Sequence, residues 1–106
     1  MITETTVELH KPFVVMHDVV RFHTTAEETD GDFLVREVDV APGGGPPPLH
    51  THDAAEFFWT LRGRLSFFRE EQSGEVTEIT GGPGTLAFIP SRVPHTYRNF
   101  TDEPGA

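Results

Sequence analysis

Eight short runs rich in β-branched and aromatic residues are strung along this chain with turn residues between them, and that alternation constrains the fold more than any other feature. The runs are "FVVM" (13–16), "VVRF" (19–22), "FLVREVDV" (33–40), "EFFWTL" (56–61), "RLSFF" (64–68), "EVTEI" (75–79), "TLAFI" (85–89) and "HTYRNF" (95–100). Gly31, the Pro/Gly run at 42–48, "RG" at 62–63, "SG" at 73–74 and "GGPG" at 81–84 punctuate them. Short strands at nearly regular spacing predict a sandwich or a closed barrel. The best helical stretch, "TAEETD" (25–30), soon meets Gly31 and has no apolar stripe at 3.6-residue spacing. Gly63 predicts a tight hairpin between the runs on either side of it. "EEQSGE" (70–75) predicts a longer one, and the resulting meander would roll into a barrel with alternate side chains inward.

At 106 residues the chain is expected to form one domain, 1–106. It has no cysteine, which excludes disulfides, thiolate zinc sites, iron–sulfur clusters and cysteine nucleophiles. Any metal must therefore be held by histidine and carboxylate. Eight basic residues against 17 acidic ones give a formal charge of −9, so neither a nucleic acid nor an anionic membrane surface is an expected partner. No apolar run approaches the ~20 residues that span a bilayer. The opening "MITETTVELHKP" lacks the basic and apolar regions of a secretory signal, so a cytoplasmic location is expected.

Strand parity decides what the histidines can do together. In "PGGGPPPLHTHDAAEFFWTLRG" (42–63), His50, His52, Glu56, Phe58 and Thr60 share one face, and Phe57, Trp59 and Leu61 the other. In "HTYRN", His95, Tyr97 and Asn99 share a face, and in "TLAFIP", Leu86 and Phe88 do, with the inward side expected for that pair. If both segments line one barrel, three imidazoles and a carboxylate converge, a set that accepts Zn, Cu, Fe, Ni or Mn without choosing among them. The three prolines before His50 would stiffen the approach to the site. His10, His17 and His23 each stand alone and are read as ordinary surface or hydrogen-bonded residues.

Two spaced patterns sharpen this reading. From Gly44 the chain reads G-x5-H-x-H-x3-E-x6-G, through His50, His52 and Glu56 to Gly63; from Gly84 it reads G-x5-P-x-R-x2-H-x3-N, through Pro90, Arg92 and His95 to Asn99. These resemble the two motifs of the cupin superfamily, over about Phe33 to Pro104. The flanks look more particularly like the small cupins grouped with quercetin dioxygenase. The resemblance implies an all-β, antiparallel jelly-roll β-barrel, with a core at about 33–104 and N-terminal strands in 1–32. It also implies His50, His52, Glu56 and His95 as ligands of one divalent transition metal per chain (Fe, Ni, Mn, Cu or Zn).

Two positions depart from the family pattern. Arg92 stands where the family usually has glycine, and since arginine tolerates positive φ poorly, a changed turn is expected there. After the second motif the chain carries no further apolar strand, so the C-terminal strand of the barrel is expected to be missing. Either the chain is a fragment, or an N-terminal segment such as "KPFVVM", from the same chain or a neighbouring subunit, fills the gap; a homodimer is the expected assembly.

The function expected from this resemblance is a metal-dependent, quercetinase-like dioxygenase acting on a small aromatic or enolisable substrate. Glu56 would serve as both ligand and catalytic proton acceptor, and Phe58, Thr60, Phe88 and Tyr97 would line the substrate pocket. The alternative is a non-redox cupin, either a zinc-type isomerase or a small-molecule-binding barrel without turnover.

Overall fold

The computed structural model of the chain describes residues 9–46 and 49–106. The stiffening expected of the proline run therefore falls, for Pro47 and Pro48, outside the described residues. All eight expected runs carry a strand, every pairing is antiparallel, and there is no helix among the described residues. The chain divides into two compact units, one up to Asp39 and one from Val40 to Ala106.

In the first unit, β1 (Phe13–Val15), β2 (Asp18–Thr24) and β3 (Val35–Asp39) form a sheet in that order. "KPFVVM" thus supplies β1, whose partner is β2, through a two-residue turn that pairs Val15 with Asp18. Phe22 pairs with Arg36 but Thr24 with Val35, so His23 is the extra residue of a β-bulge. "TAEETD" starts as a helix would: the Thr25 N–H donates to Glu28 Oε1 over 3.0 Å and the Glu28 N–H to Thr25 Oγ1 over 3.4 Å. Asp30 (φ 55°) and Gly31 (φ 85°) then take left-handed conformations, and the segment stays a series of turns.

In the second unit, β4 (Glu56–Trp59) pairs with β7 (Leu86–Ile89), and β5 (Leu65–Glu70) lies between β6 (Val76–Gly81) and β8 (His95–Arg98). The "EEQSGE" hairpin forms as expected, closed by the Glu71 N–H on the Glu75 carbonyl at 2.7 Å. The Arg69 guanidinium donates to Glu71 Oε2 over 2.8 Å, which holds that carboxyl below the usual carboxylate range. Another nitrogen of the same guanidinium donates to the Phe88 carbonyl over 2.9 Å and ties β5 to β7. Val40, Leu65, Phe67, Ala87, Ile89 and Ala106 are the buried apolar side chains of this unit's core, with the buried polar Thr60, His95 and Asn99 among them.

The hairpin expected at Gly63 does not form. Thr60 donates to the Thr85 carbonyl and accepts from the Gly84 N–H, while Leu61 and Arg62 bond Ala106, so the chain passes there from one sheet to the other. Gly63 (φ 73°) is needed for close approach instead: a Cβ there would stand 2.8 Å from the Pro104 carbonyl oxygen. A turn residue reports a local bend and leaves the ladder partner open, which is why a jelly-roll connection read as a meander. Past β8, Gly105 exchanges both backbone hydrogen bonds with Val40, at 2.7 and 3.0 Å, so strand-like pairing occurs here without an apolar run.

Asn99 secures that last turn. It is fully buried; its amide donates to the carbonyls of Val40 (3.0 Å) and Glu103 (2.7 Å), and its oxygen accepts from the Thr101 N–H (2.9 Å) and hydroxyl (2.7 Å). Four hydrogen bonds satisfy the whole side chain.

Candidate metal centre

Three separate segments deliver the histidines and the carboxylate. Glu56 opens β4 and His95 opens β8, while His50 lies before β4 and is bridged to His95 by a reciprocal pair of backbone hydrogen bonds of 3.0 and 2.9 Å. His52 is fixed through its carbonyl, which accepts from the Arg92 N–H over 2.9 Å. Arg92 has φ 60°, so the left-handed turn that glycine normally serves is kept, contrary to the expectation of a changed turn. The bond to His52 and the closing bond from Val93 to the Pro90 carbonyl hold it there.

One ring nitrogen from each of His50, His52 and His95 lies within 4.8 Å of the other two. Ring centroids are 4.6 Å apart for His50–His95, 4.9 Å for His52–His95 and 6.0 Å for His50–His52. Glu56 joins them: its Oε1 lies 2.8 Å from His95 Nε2 and also contacts His52 Nε2. The cluster grades from interior to surface, with the His95 side chain 2% exposed and that of His52 38%.

Backbone carbonyls set the tautomers. His95 Nδ1 donates to the Val93 carbonyl over 2.8 Å and His52 Nδ1 to the Ala54 carbonyl over 3.1 Å. A carbonyl only accepts, so each Nδ1 carries its hydrogen and each neutral ring turns the lone pair of Nε2 toward the Glu56 oxygen. Lone pairs of two imidazoles thus face a carboxylate oxygen, an arrangement of donors alone that a bound cation would complete. The donor set fits a divalent first-row ion. Sequence reading missed these orienting carbonyls, since a backbone oxygen has no residue-type signature.

Parity along β4 holds: Phe57, Trp59 and Leu61 are exposed, Phe58 is half-buried and Thr60 fully buried. The Phe58 ring centroid lies 5.5 Å from Tyr97, 5.2 Å from Phe67 and 6.1 Å from His95, so an aromatic wall adjoins the cluster. Phe67 was not foreseen as part of it; its register opposite Tyr97 was the missing signal. The inward placement expected for Leu86 and Phe88 is corrected. In β7 the small Ala87 and Ile89 are buried, whereas Leu86 (53% exposed) and Phe88 (42%) face outward. Phe88 pairs in register with Phe57, ring centroids 4.9 Å apart, on the side away from Glu56 and Phe58, and so does not line the pocket.

An all-β chain of antiparallel sheets that gathers three histidines and a glutamate from two distant motifs defines a metal-binding class of small domain. The cupin domain family matches residues 36–106, and the chain belongs to that family. Among solved structures it is similar to oxalate decarboxylase from Bacillus subtilis (18% identity, TM-score 0.74, 97% of this chain and 29% of that one). It is also similar to an oxalate oxidase (21% identity, TM-score 0.69, 83% of this chain and 47% of that one). A protein of Thermus thermophilus is similar at 26% identity and TM-score 0.58, over 68% of this chain and 64% of that one. The chain thus spans less than half the length of either oxalate enzyme, and the likeness to them is one of fold. No curated protein matches the sequence.

Proposed function

We propose that His50, His52, Glu56 and His95 hold one divalent transition metal, and that the protein is a metal-dependent dioxygenase acting on a small aromatic or enolisable molecule. The observation that carries this reading is the meeting of Glu56 Oε1 with the carbonyl-oriented rings of His52 and His95, with His50 beside them. The metal, when bound, supplies Lewis acidity and, for a redox-active ion, electron transfer toward dioxygen.

The chain's own residues do the rest. Phe58, Tyr97 and Phe67 offer a planar substrate an apolar wall beside His95 and keep water from that side. Glu56 accepts the hydroxyl proton of the substrate at Oε1, the oxygen already within 2.8 Å of His95 Nε2. His95, almost wholly buried and bonded to Val93, keeps its ring orientation through the reaction. Metal analysis of the purified protein, joined to oxygen-uptake assays over flavonols, catechols, β-diketones and oxalate, tests the reading. Oxalate joins the panel because two of the structural relatives act on it. Oxygen uptake with one of these classes is expected; none with any of them, in metal-loaded protein, would overturn the oxygenase assignment.

The second reading is a non-redox cupin. Its support is the same donor set, three imidazoles and a carboxylate, which serves zinc as well as it serves a redox metal. Stoichiometric zinc in protein from its native source, with isomerase activity or ligand binding but no oxygen uptake, is the outcome that would favour it.

A further inference from the structure

A second pair of imidazoles, separate from the four residues above, meets in the first unit. Sequence alone leaves His10 and His23 unrelated, and the structure corrects that: their Nδ1 atoms are 2.8 Å apart. Two local features bring this about. The bulge in β2 re-aims His23, the residue left over between Phe22 and Thr24. The His10 N–H, in a residue held at φ 63°, donates to the Phe22 carbonyl over 2.7 Å and so fixes His10 beside the bulge.

The proton inventory follows from the carboxylate on the far side. His23 Nε2 lies 3.0 Å from Glu37 Oε1, and an ionised carboxylate only accepts, so neutral His23 carries its hydrogen on Nε2 and a lone pair on Nδ1. Arg21 backs that carboxylate at 3.6 Å and donates to Asp39 at 3.1 Å. His10 then donates its own Nδ1 hydrogen to His23 Nδ1. This is the carboxylate–imidazole arrangement that orients a metal-binding histidine, with a single hydrogen where an ion would sit.

The donors select the ion. Imidazole nitrogens completed by water suit the tetragonal geometry of Cu(II) and Ni(II), and such a set holds Cu(II) more tightly than zinc. The 2.8 Å hydrogen bond between the rings leaves the two nitrogens close enough to share one ion. We propose that His10 and His23 form a two-imidazole site for a tetragonal divalent ion, Cu(II) or Ni(II), bound through both Nδ1 atoms with Glu37 orienting His23. On binding, the shared hydrogen leaves His10 Nδ1 for His10 Nε2, so the rings stay neutral and both lone pairs face the ion. His10 is exposed, and water fills the other corners.

The test is titration of the full chain with cupric ion alone at neutral pH, followed by electron paramagnetic resonance and calorimetry, with zinc as the comparison. The pair's tetragonal copper signal is read in the His52→Ala background, and is expected to be lost on adding His23→Ala, weakened at least about tenfold by His10→Ala and about 10–100-fold by Glu37→Gln. Zinc is expected to bind the pair more weakly than copper. The signal persists in His52→Ala, which breaks the four-residue centre instead, so failure of that centre and failure of this pair are read separately. Far-UV circular dichroism checks each fold, and His10→Ala, at an exposed position, covers the case in which His23→Ala unfolds. Copper binding of unchanged number and affinity in folded His10→Ala would overturn the proposal, as would a preference of the pair for zinc.

Discussion

Arg92 donates its backbone N–H to the carbonyl of His52 over 2.9 Å from a left-handed conformation, φ 60°. The second motif thereby grips the first through the main chain, and an arginine bears the strain that glycine would avoid. A non-glycine residue in this region costs roughly 1–2 kcal/mol, offset in part by the greater freedom glycine has when unfolded. Arg92→Gly is therefore expected to stabilise the protein by about 0.5–1 kcal/mol. Chemical denaturation reads this as a raised midpoint with unchanged slope, and a lowered midpoint would show that the arginine side chain contributes more than the strain costs.

Gly45 is expected to tolerate nothing larger. A Cβ there would lie 2.2 Å from the Tyr97 carbonyl oxygen, and its φ of 132° belongs to glycine. Gly45→Ala must displace the loop before His50 or β8 itself, at a cost of roughly 2–4 kcal/mol. Thermal unfolding checks the loss, and an unchanged Tm would contradict the close approach.

The buried Asn99 gives a sharper case because its isostere fails. Asn99→Asp keeps shape but removes the two donors to the Val40 and Glu103 carbonyls and buries a charge. A cost of about 3 kcal/mol or more is expected at neutral pH. Stability should recover partly in acid, where the protonated carboxyl regains one donor, and denaturation at two pH values measures the difference.

Glu56→Gln should act with opposite signs on the two forms of the centre. Without metal, an amide N–H can donate to the Nε2 lone pairs that the carboxylate opposes, so the metal-free protein keeps or gains stability. With metal, loss of the anionic ligand should weaken binding at least about tenfold, or about 1.4 kcal/mol. Differential scanning calorimetry with and without added metal separates the two effects through the metal-induced rise in Tm.

Much of this could be read in the residues themselves. β-branched and aromatic runs located all eight strands, and parity along β4 separated Glu56, Phe58 and Thr60 from Phe57, Trp59 and Leu61. Parity failed in β7 because Leu86, Ala87, Phe88 and Ile89 are all apolar: with no polar residue to mark the solvent side, alternation does not say which pair points inward, and packing chose the alanine and isoleucine. Gly63 announced a bend and could not announce that β4 pairs with β7. The meeting of His10 with His23 depends on a one-residue bulge, a shift of register that no residue type encodes.

The outward placement of Trp59 has a practical result. It is the chain's single tryptophan and is 67% exposed, on the face opposite Glu56. Its indole emission will already resemble that of a solvated ring in the native protein. Unfolding will barely change its colour, and a quencher dissolved in the buffer will reach it in either state.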